Sequence, residues 1–124
     1  MTGPLVQNFS INAGDPVRVN IDVNPDTGVS LIPGVQIFWT AFKQRFGVPV
    51  TTEPPAIRKV LDAGIEIDDP DTLTFHVDLD AADSIDLLGN YYHETVIQSV
   101  AGDKLTVNCG EVTVLFTATR DLTI

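Results

Sequence analysis

Apolar and polar residues alternate with a period of two along much of this 124-residue chain. The alternation is clearest in residues 17–24 and 73–80, where every second side chain is apolar. Such a pattern is typical of a β-strand that turns one face to a core and the other to water. Turn residues such as Pro25-Asp26-Thr27-Gly28 separate the strands. The pattern predicts an all-β fold, an immunoglobulin-like β-sandwich of about seven or eight antiparallel strands.

Two segments add detail to this prediction. Residues 35–42 form an apolar strand with the only tryptophan, and Trp39 is expected to fill the core between the sheets. In the last segment the apolar positions change from odd to even numbers at Gly110-Glu111. A β-bulge at this point would restore the facing of one long strand, residues 104–119. A hairpin at residues 100–103 is expected to pair this strand with residues 90–98.

The remaining segments read as peripheral elements of a single domain. Prolines in residues 43–55 indicate a loop or an edge hairpin, and residues 57–61 and 65–68 are predicted as short edge strands. One short helical turn is expected near residues 81–88. The domain is expected to span residues 1–124, with a core of about 7–119. The terminal arms are residues 1–5 and 120–124.

The charge of the chain restricts its partners. With 7 Lys and Arg against 17 Asp and Glu, the net charge is −10. Such a chain is unsuited to nucleic acid or to an anionic membrane, and it suits a basic or neutral protein surface. A single cysteine, Cys109, excludes an intrachain disulfide and is expected to be an inert buried thiol. No signal peptide or membrane span is recognisable, which favours a protein that is made and kept in the cytosol or is released by a route other than ordinary secretion.

No recognisable motif supports catalysis, a cofactor or a metal ion. The two histidines, His76 and His93, show no metal-ligand spacing, and His76 is expected on the polar face of its strand. No nucleophile elbow or phosphate-binding loop occurs. The acidic turn formed by Asp68, Asp69 and Asp71 offers three carboxylates for a weak calcium site, although it lacks the EF-hand pattern. A solvated acidic turn is the alternative.

Four segments, taken in order, resemble one family. They are Phe9 to Val17 with its Gly-Asp turn, Thr27 to Val35, the acidic turn from Asp83 that leads into Gly89-Asn90-Tyr91-Tyr92-His93-Glu94, and Gly102-Asp103-Lys104 with the strand that follows. Together they resemble the N-terminal immunoglobulin-like domain of tailed-phage baseplate upper proteins. The resemblance covers about residues 7–119 and implies a non-enzymatic virion protein without catalytic residues. That family continues into a trimerising region, so a chain ending at Ile124 is expected to stand alone in the particle.

The resemblance implies a structural role in a baseplate, tail or neck, or as a capsid decoration. Its partners would be other virion proteins and further copies of itself in a symmetric assembly, with no nucleic acid and no membrane. Phe42, Phe46, Val48 and Pro49 are the candidate partner contacts, since they are apolar or rigid residues at a loop. The alternative is a carbohydrate or host-surface binding module that stacks ligands on Trp39, Tyr91 and Tyr92. A small hydrolase is a third, weaker hypothesis.

Overall fold

The computed structural model describes residues 4–116, which form a β-fold with a short 3-10 turn at Pro25–Thr27 and one short helix, α1 (Ala81–Ser84). The strands are β1 (Leu5–Val6), β2 (Phe9–Asn12), β3 (Val17–Asp22), β4 (Gln36–Arg45), β5 (Val48–Pro49), β6 (Ile57–Leu61), β7 (Gly64–Asp69), β8 (Thr74–Leu79), β9 (Gly89–Gln98) and β10 (Lys104–Leu115). The predicted all-β class is confirmed. No helix within these residues has the length and apolar character needed to span a bilayer.

All ten strands belong to one sheet, in the order β1-β10-β9-β4-β6-β7-β8-β3. β2 continues the edge begun by β1 along β10, and β5 pairs with β4. The prediction that every strand is antiparallel is wrong, because β10 pairs in parallel with β1 and β2, and β6 pairs in parallel with β7. The count exceeds the predicted seven or eight partly because β1 and β5 have only two residues each, too short to show a period.

The segments predicted as edge strands lie inside the sheet. β6 lies between β4 and β7, and β7 lies between β6 and β8. Their short lengths and neighbouring prolines resemble an edge, but the loop at Asp62 and Ala63 brings β7 alongside β6 in the same direction. β7 therefore occupies the side of β6 that β4 leaves free. The Ala63 N–H donates to the Val60 carbonyl oxygen at 3.0 Å, and the Asp62 N–H donates to that of Ile65 at 2.9 Å.

The bulge of the last strand lies earlier than predicted. The register of β10 against β9 shifts between Thr106 and Asn108, so the extra residue is Val107. Val107 and Asn108 are both buried, and Cys109 is left half-buried on the outer face. The prediction that Cys109 is buried is therefore wrong. The predicted hairpin between β9 and β10 is confirmed, and residues 117–119 of the predicted strand lie outside the described residues.

The helical turn is shorter than predicted. α1 ends at Ser84, and the following residues to Leu88 form a turn and an irregular stretch. Its start is capped, because the Asp80 N–H donates to Asp83 Oδ2 at 2.7 Å. Ser84 is fully buried, and its hydroxyl oxygen accepts from the Gly14 N–H at 2.9 Å. This bond fixes the helix against the turn that follows β2.

The core fills the inside of the curved sheet. Trp39 is fully buried, as predicted, together with Phe75, Ile21 and Ile37. Tyr91 points inward, whereas the adjacent Tyr92 is half-buried on the outer face. This opposite facing is what neighbouring strand residues require.

Side chains close the sheet into a nearly barrel-shaped form along a seam between its two ends. At the seam, Gln7 Nε2 donates to the Asn20 carbonyl oxygen of β3 at 2.9 Å. Asn108 Nδ2 donates to Gln7 Oε1 at 3.0 Å and lies 3.4 Å from the Asp22 carbonyl oxygen. These amide groups supply partners for carbonyls that β3 presents at its free edge.

His93 lies fully buried behind this seam. Its Nε2 donates to the Gln7 carbonyl oxygen at 2.6 Å, so the proton of the neutral ring is on Nε2. The ring packs against Phe9 and Trp39, with centroid distances of 5.0 and 5.9 Å. Burial lowers the pKa of His93 below its ordinary value of 6.5, and the hydrogen bond to Gln7 only partly opposes this effect.

We expect the His93 ring to stay neutral at pH values below 6.5 at which the unfolded chain's histidine is already protonated. In that pH range the unfolded chain binds a proton at His93 and the folded chain does not. The free energy of unfolding is therefore fully retained above pH 6.5 and decreases as the pH falls below it. A titration of the His93 ring resonances by NMR measures this directly. A midpoint at or above 6.5 would contradict the burial described here.

Candidate protein-interaction surface

β4 and β5 form a two-residue hairpin that projects from the sheet. Arg45 pairs with Val48, and Gln44 pairs with Pro49, so Phe46 and Gly47 make the turn. Both turn residues have positive φ, 56° for Phe46 and 76° for Gly47. Two positive φ values are the requirement of a type I′ turn, which matches the twist of the flanking strands. Residues 45–48 are called the hairpin tip below.

Phe46 is an unusual residue for the first turn position. Asn, Asp or Gly normally occupies it, because a bulky side chain at positive φ is disfavoured. Phe46 is also 100% exposed, and Val48 beside it is 62% exposed. Phe46 thus places a large aromatic side chain in water, at a positive φ that Asn, Asp or Gly adopts more readily. Nothing in the folding of the domain requires this choice.

Behind the hairpin tip, the outside of the sheet carries an apolar stripe. Phe38 is directly opposite Val96, and Phe42 is directly opposite Tyr92, across the β4–β9 pair. These four side chains are half-buried and face away from the core. They are called the outer aromatic face below. β4 and the turn that follows it therefore carry a phenylalanine at every fourth position: Phe38, Phe42 and Phe46.

Positive charge gathers around the same surface. Lys43 and Arg45 are exposed on the hairpin, and Arg58 and Lys104 border an open depression of about 370 Å³ beside Phe38 and Phe42. Arg58 lies over the Phe38 ring, 5.9 Å from its centroid. Arg58 and Lys104 thus border the outer aromatic face together with one acidic residue, Glu94. Lys43 and Arg45 alternate with Phe42 along the chain, so their side chains leave the opposite side of the hairpin.

Tyr92 adds a polar group to the outer aromatic face. Its hydroxyl donates to Glu94 Oε2 at 3.2 Å. Burial, with smaller contributions from Glu94 and Cys109, raises the pKa of Tyr92 to about 12. The hydroxyl therefore remains a neutral hydrogen-bond donor at physiological pH.

The four predicted contact residues fall on this surface. The structure places Phe46, Val48 and Pro49 in the hairpin, and it places Phe42 on the strand that leads to it. Phe38 and Val96 were missed because the outer face of a strand is expected to be polar, and Tyr92 was predicted only as a stacking residue of the carbohydrate-binding alternative. The sequence did contain a signal, since Phe38 and Phe42 are apolar at even positions of a segment whose odd positions are all apolar.

The acidic turn is divided between two environments. Asp68 Oδ1 accepts a hydrogen bond from His76 Nδ1 at 2.8 Å. Asp69 Oδ1 accepts from the Asp71 N–H at 2.9 Å and so closes the turn locally. The structure does not join Asp68, Asp69 and Asp71 into one ligand set. Within residues 4–116, no group of three or more His, Cys, Asp or Glu side chains is placed so that it could hold a metal ion.

Two further predictions about exposed groups change with the structure. His76 is buried, not solvent-facing, because Phe75, His76 and Val77 are all covered in a strand that lies within the sheet. Trp39 and Tyr91 are buried and cannot stack on a sugar ring. Of the three aromatic residues behind the carbohydrate-binding alternative, Tyr92 alone keeps an outward position.

No protein-family model, no curated protein and no solved structure matches the sequence or its fold. The function is therefore inferred from the residues of the chain itself.

Proposed function

We propose that the chain is a non-enzymatic structural protein of a tailed bacteriophage particle, and that the hairpin tip and outer aromatic face pack against neighbouring virion proteins. The observation that carries a packing role is Phe46, fully exposed at positive φ at the end of the apolar stripe. Aromatic residues and arginines are enriched at protein interfaces, and both occur here. The virion setting is supported by the sequence resemblance described above.

The immunoglobulin-like sandwich belongs to the same proposal. The antiparallel pairs β3–β8, β4–β9 and β9–β10 support it, as does the buried Trp39. The parallel pairs at β10 and β6 are additions to that pattern. In a ring or lattice, symmetry repeats one modest interface many times, so a small hydrophobic tip is sufficient to hold each copy in place. The position within the particle, as baseplate, tail, neck or capsid decoration, is open to experiment.

We expect Phe46→Asp to weaken assembly at least tenfold while leaving the monomer fold unchanged. A central aromatic contact commonly contributes more than about 1.4 kcal/mol, which is a tenfold change in affinity. The side chain contacts no core, and Asp is favoured over Phe at positive φ, so the melting temperature of the isolated chain should stay the same or rise. Assembly is measured by incorporation of the variant into particles and by light scattering of the purified protein.

Val100→Asp is the matched control. Val100 is 61% exposed and lies in the turn region between β9 and β10, away from the hairpin tip. Its replacement adds the same charge at a similar exposed site, and assembly should be retained. Equal loss of assembly in both variants would assign the effect to charge alone, and unchanged assembly with Phe46→Asp would remove Phe46 from the interface.

Immunogold electron microscopy of particles from the source organism tests the virion assignment separately. Label at the tail tip would make the chain a baseplate component, and label over the head or collar would make it a decoration or neck protein. Absence of the chain from purified particles, checked by mass spectrometry, would contradict the virion role. It would leave a packing role for the hairpin tip intact.

A further inference from the structure

An open depression lies at the end of the domain that is opposite to the hairpin tip. Gln36, the first residue of β4, borders the depression, whereas the hairpin tip begins at Arg45, the last residue of the same strand. A strand rises about 3.3 Å per residue, so the length of β4 separates the two features by roughly 30 Å. The hairpin tip of a chain therefore cannot reach the depression of the same chain.

The depression is mostly apolar and has a volume of about 590 Å³, which is large enough to admit an aromatic ring. Ile32 and two prolines, Pro33 and Pro70, line it, and Ile32 is 54% exposed. Leu61 and Ile67 also line it and are half-buried. Covering these side chains with another apolar group removes them from water, which is favourable.

The charges beside the two features are opposite in sign. Asp62 and Glu66 border the depression and are exposed. Lys43 and Arg45 are exposed on the hairpin. Copies of a chain with a net charge of −10 repel one another overall, so they approach most easily where a basic surface meets an acidic one. The hairpin and the border of the depression provide such a pair of surfaces.

We propose that the neighbour of the hairpin tip is a second copy of this chain, and that Phe46 of one copy inserts into the depression of the next. This inference rests on the packing role proposed above and names the partner. Phe46 is 100% exposed, and an aromatic side chain seated in an apolar pocket is a common anchor of protein interfaces. The same contact brings the basic hairpin of one copy to the acidic border of the other.

The contact joins two different surfaces, so it is head-to-tail. Each copy keeps one free tip or depression for a further copy, and such a contact generates a ring or an open filament. An aromatic side chain buries only about 150–250 Å², whereas a stable interface buries about 1,200 Å² or more in total. One contact is therefore weak, and its repetition by symmetry holds the assembly together.

Analytical ultracentrifugation of the purified chain at millimolar concentration tests the proposal. We expect the unmodified chain to form oligomers larger than a dimer, in a concentration-dependent manner. Phe46→Asp removes the tip, and Ile32→Asp places a charge in the depression, so each variant alone should be monomeric. An equimolar mixture of the two should form a 1:1 dimer and nothing larger, because each pair has one intact tip and one intact depression.

Val100→Asp is the control, since Val100 lines a neighbouring depression and not this one. This variant should associate as the unmodified chain does. Circular dichroism should show that all three variants are folded, because the replaced side chains are exposed. Oligomers of Ile32→Asp equal to those of the unmodified chain would overturn the proposal, as would a mixture of the two variants that stays monomeric.

An unmodified chain that is monomeric at every concentration would also overturn the proposal. Incorporation of Phe46→Asp into particles then decides the packing role. If this variant is lost from particles, the tip binds a different virion protein and the proposed function stands. If it is incorporated normally, the packing role of the tip fails together with the self-association.

Discussion

Replacing Gly110 by alanine is expected to lower the free energy of unfolding by about 3 kcal/mol or more, or to prevent folding. Gly110 of β10 is the place where the N-terminal edge comes closest. An added Cβ would overlap the Gln7 carbonyl oxygen and stand 2.8 Å from Asn8 Oδ1. Neither group can move away at low cost. The Gln7 carbonyl oxygen accepts from His93, and Asn8 Oδ1 accepts from the Glu111 N–H at 2.9 Å.

Denaturant unfolding measures this loss against Gly28→Ala. Gly28 has φ of 76°, and no atom lies within 4 Å of an added Cβ. Its replacement should cost only about 1 kcal/mol, the penalty of placing a side chain at positive φ. If both variants lost a similar free energy of unfolding, Gln7 and Asn8 would not be packed closely against Gly110.

His93→Ala is expected to lower the free energy of unfolding by about 3–4 kcal/mol. The substitution leaves a cavity between Phe9 and Trp39, and cavities in a close-packed core cost in proportion to their volume. It also leaves the Gln7 carbonyl oxygen without its 2.6 Å donor from His93. Both effects act at the seam that closes the sheet.

His93→Gln separates the two contributions. A glutamine keeps an N–H donor and part of the volume, so its loss should be about half that of His93→Ala. Chemical denaturation of both variants, with Asn90→Ala on the exposed side of the same strand as a control, checks the ranking. A loss below about 1 kcal/mol for His93→Ala would show that the ring does not support the seam.

Period-two patterns predicted the antiparallel parts of the fold well. β3, β8 and the β9–β10 hairpin follow directly from alternation and turn residues, and Trp39 is in the core as expected. Alternation indicates which face of the sheet a side chain lies on, but it does not indicate which strand lies next to it or in which direction that strand runs. The parallel pairs of β10 and β6 therefore could not be predicted.

The same limit explains why the outer aromatic face was predicted only in part and why the burial of His76 was not predicted. Outward positions were expected to be polar, so Phe38 and Val96 were not predicted as part of the outer aromatic face, and His76 was expected in water. Both depend on what lies across the strand. The hairpin tip was predicted because its signal is local: an aromatic residue, a glycine and prolines within a short segment.

The seam has a consequence for the order in which the chain can fold during synthesis. Leu5 pairs with Asn108, and Phe9 pairs with Val112, so the N-terminal edge has no strand partner until β10 has left the ribosome. Contacts that close such long loops form slowly. Until then β1 and β2 remain unpaired and expose apolar residues to other chains. The two N-terminal strands of this sheet are thus synthesised before the other strands but are among the last to find their partner, and their exposure ends once β10 has been translated.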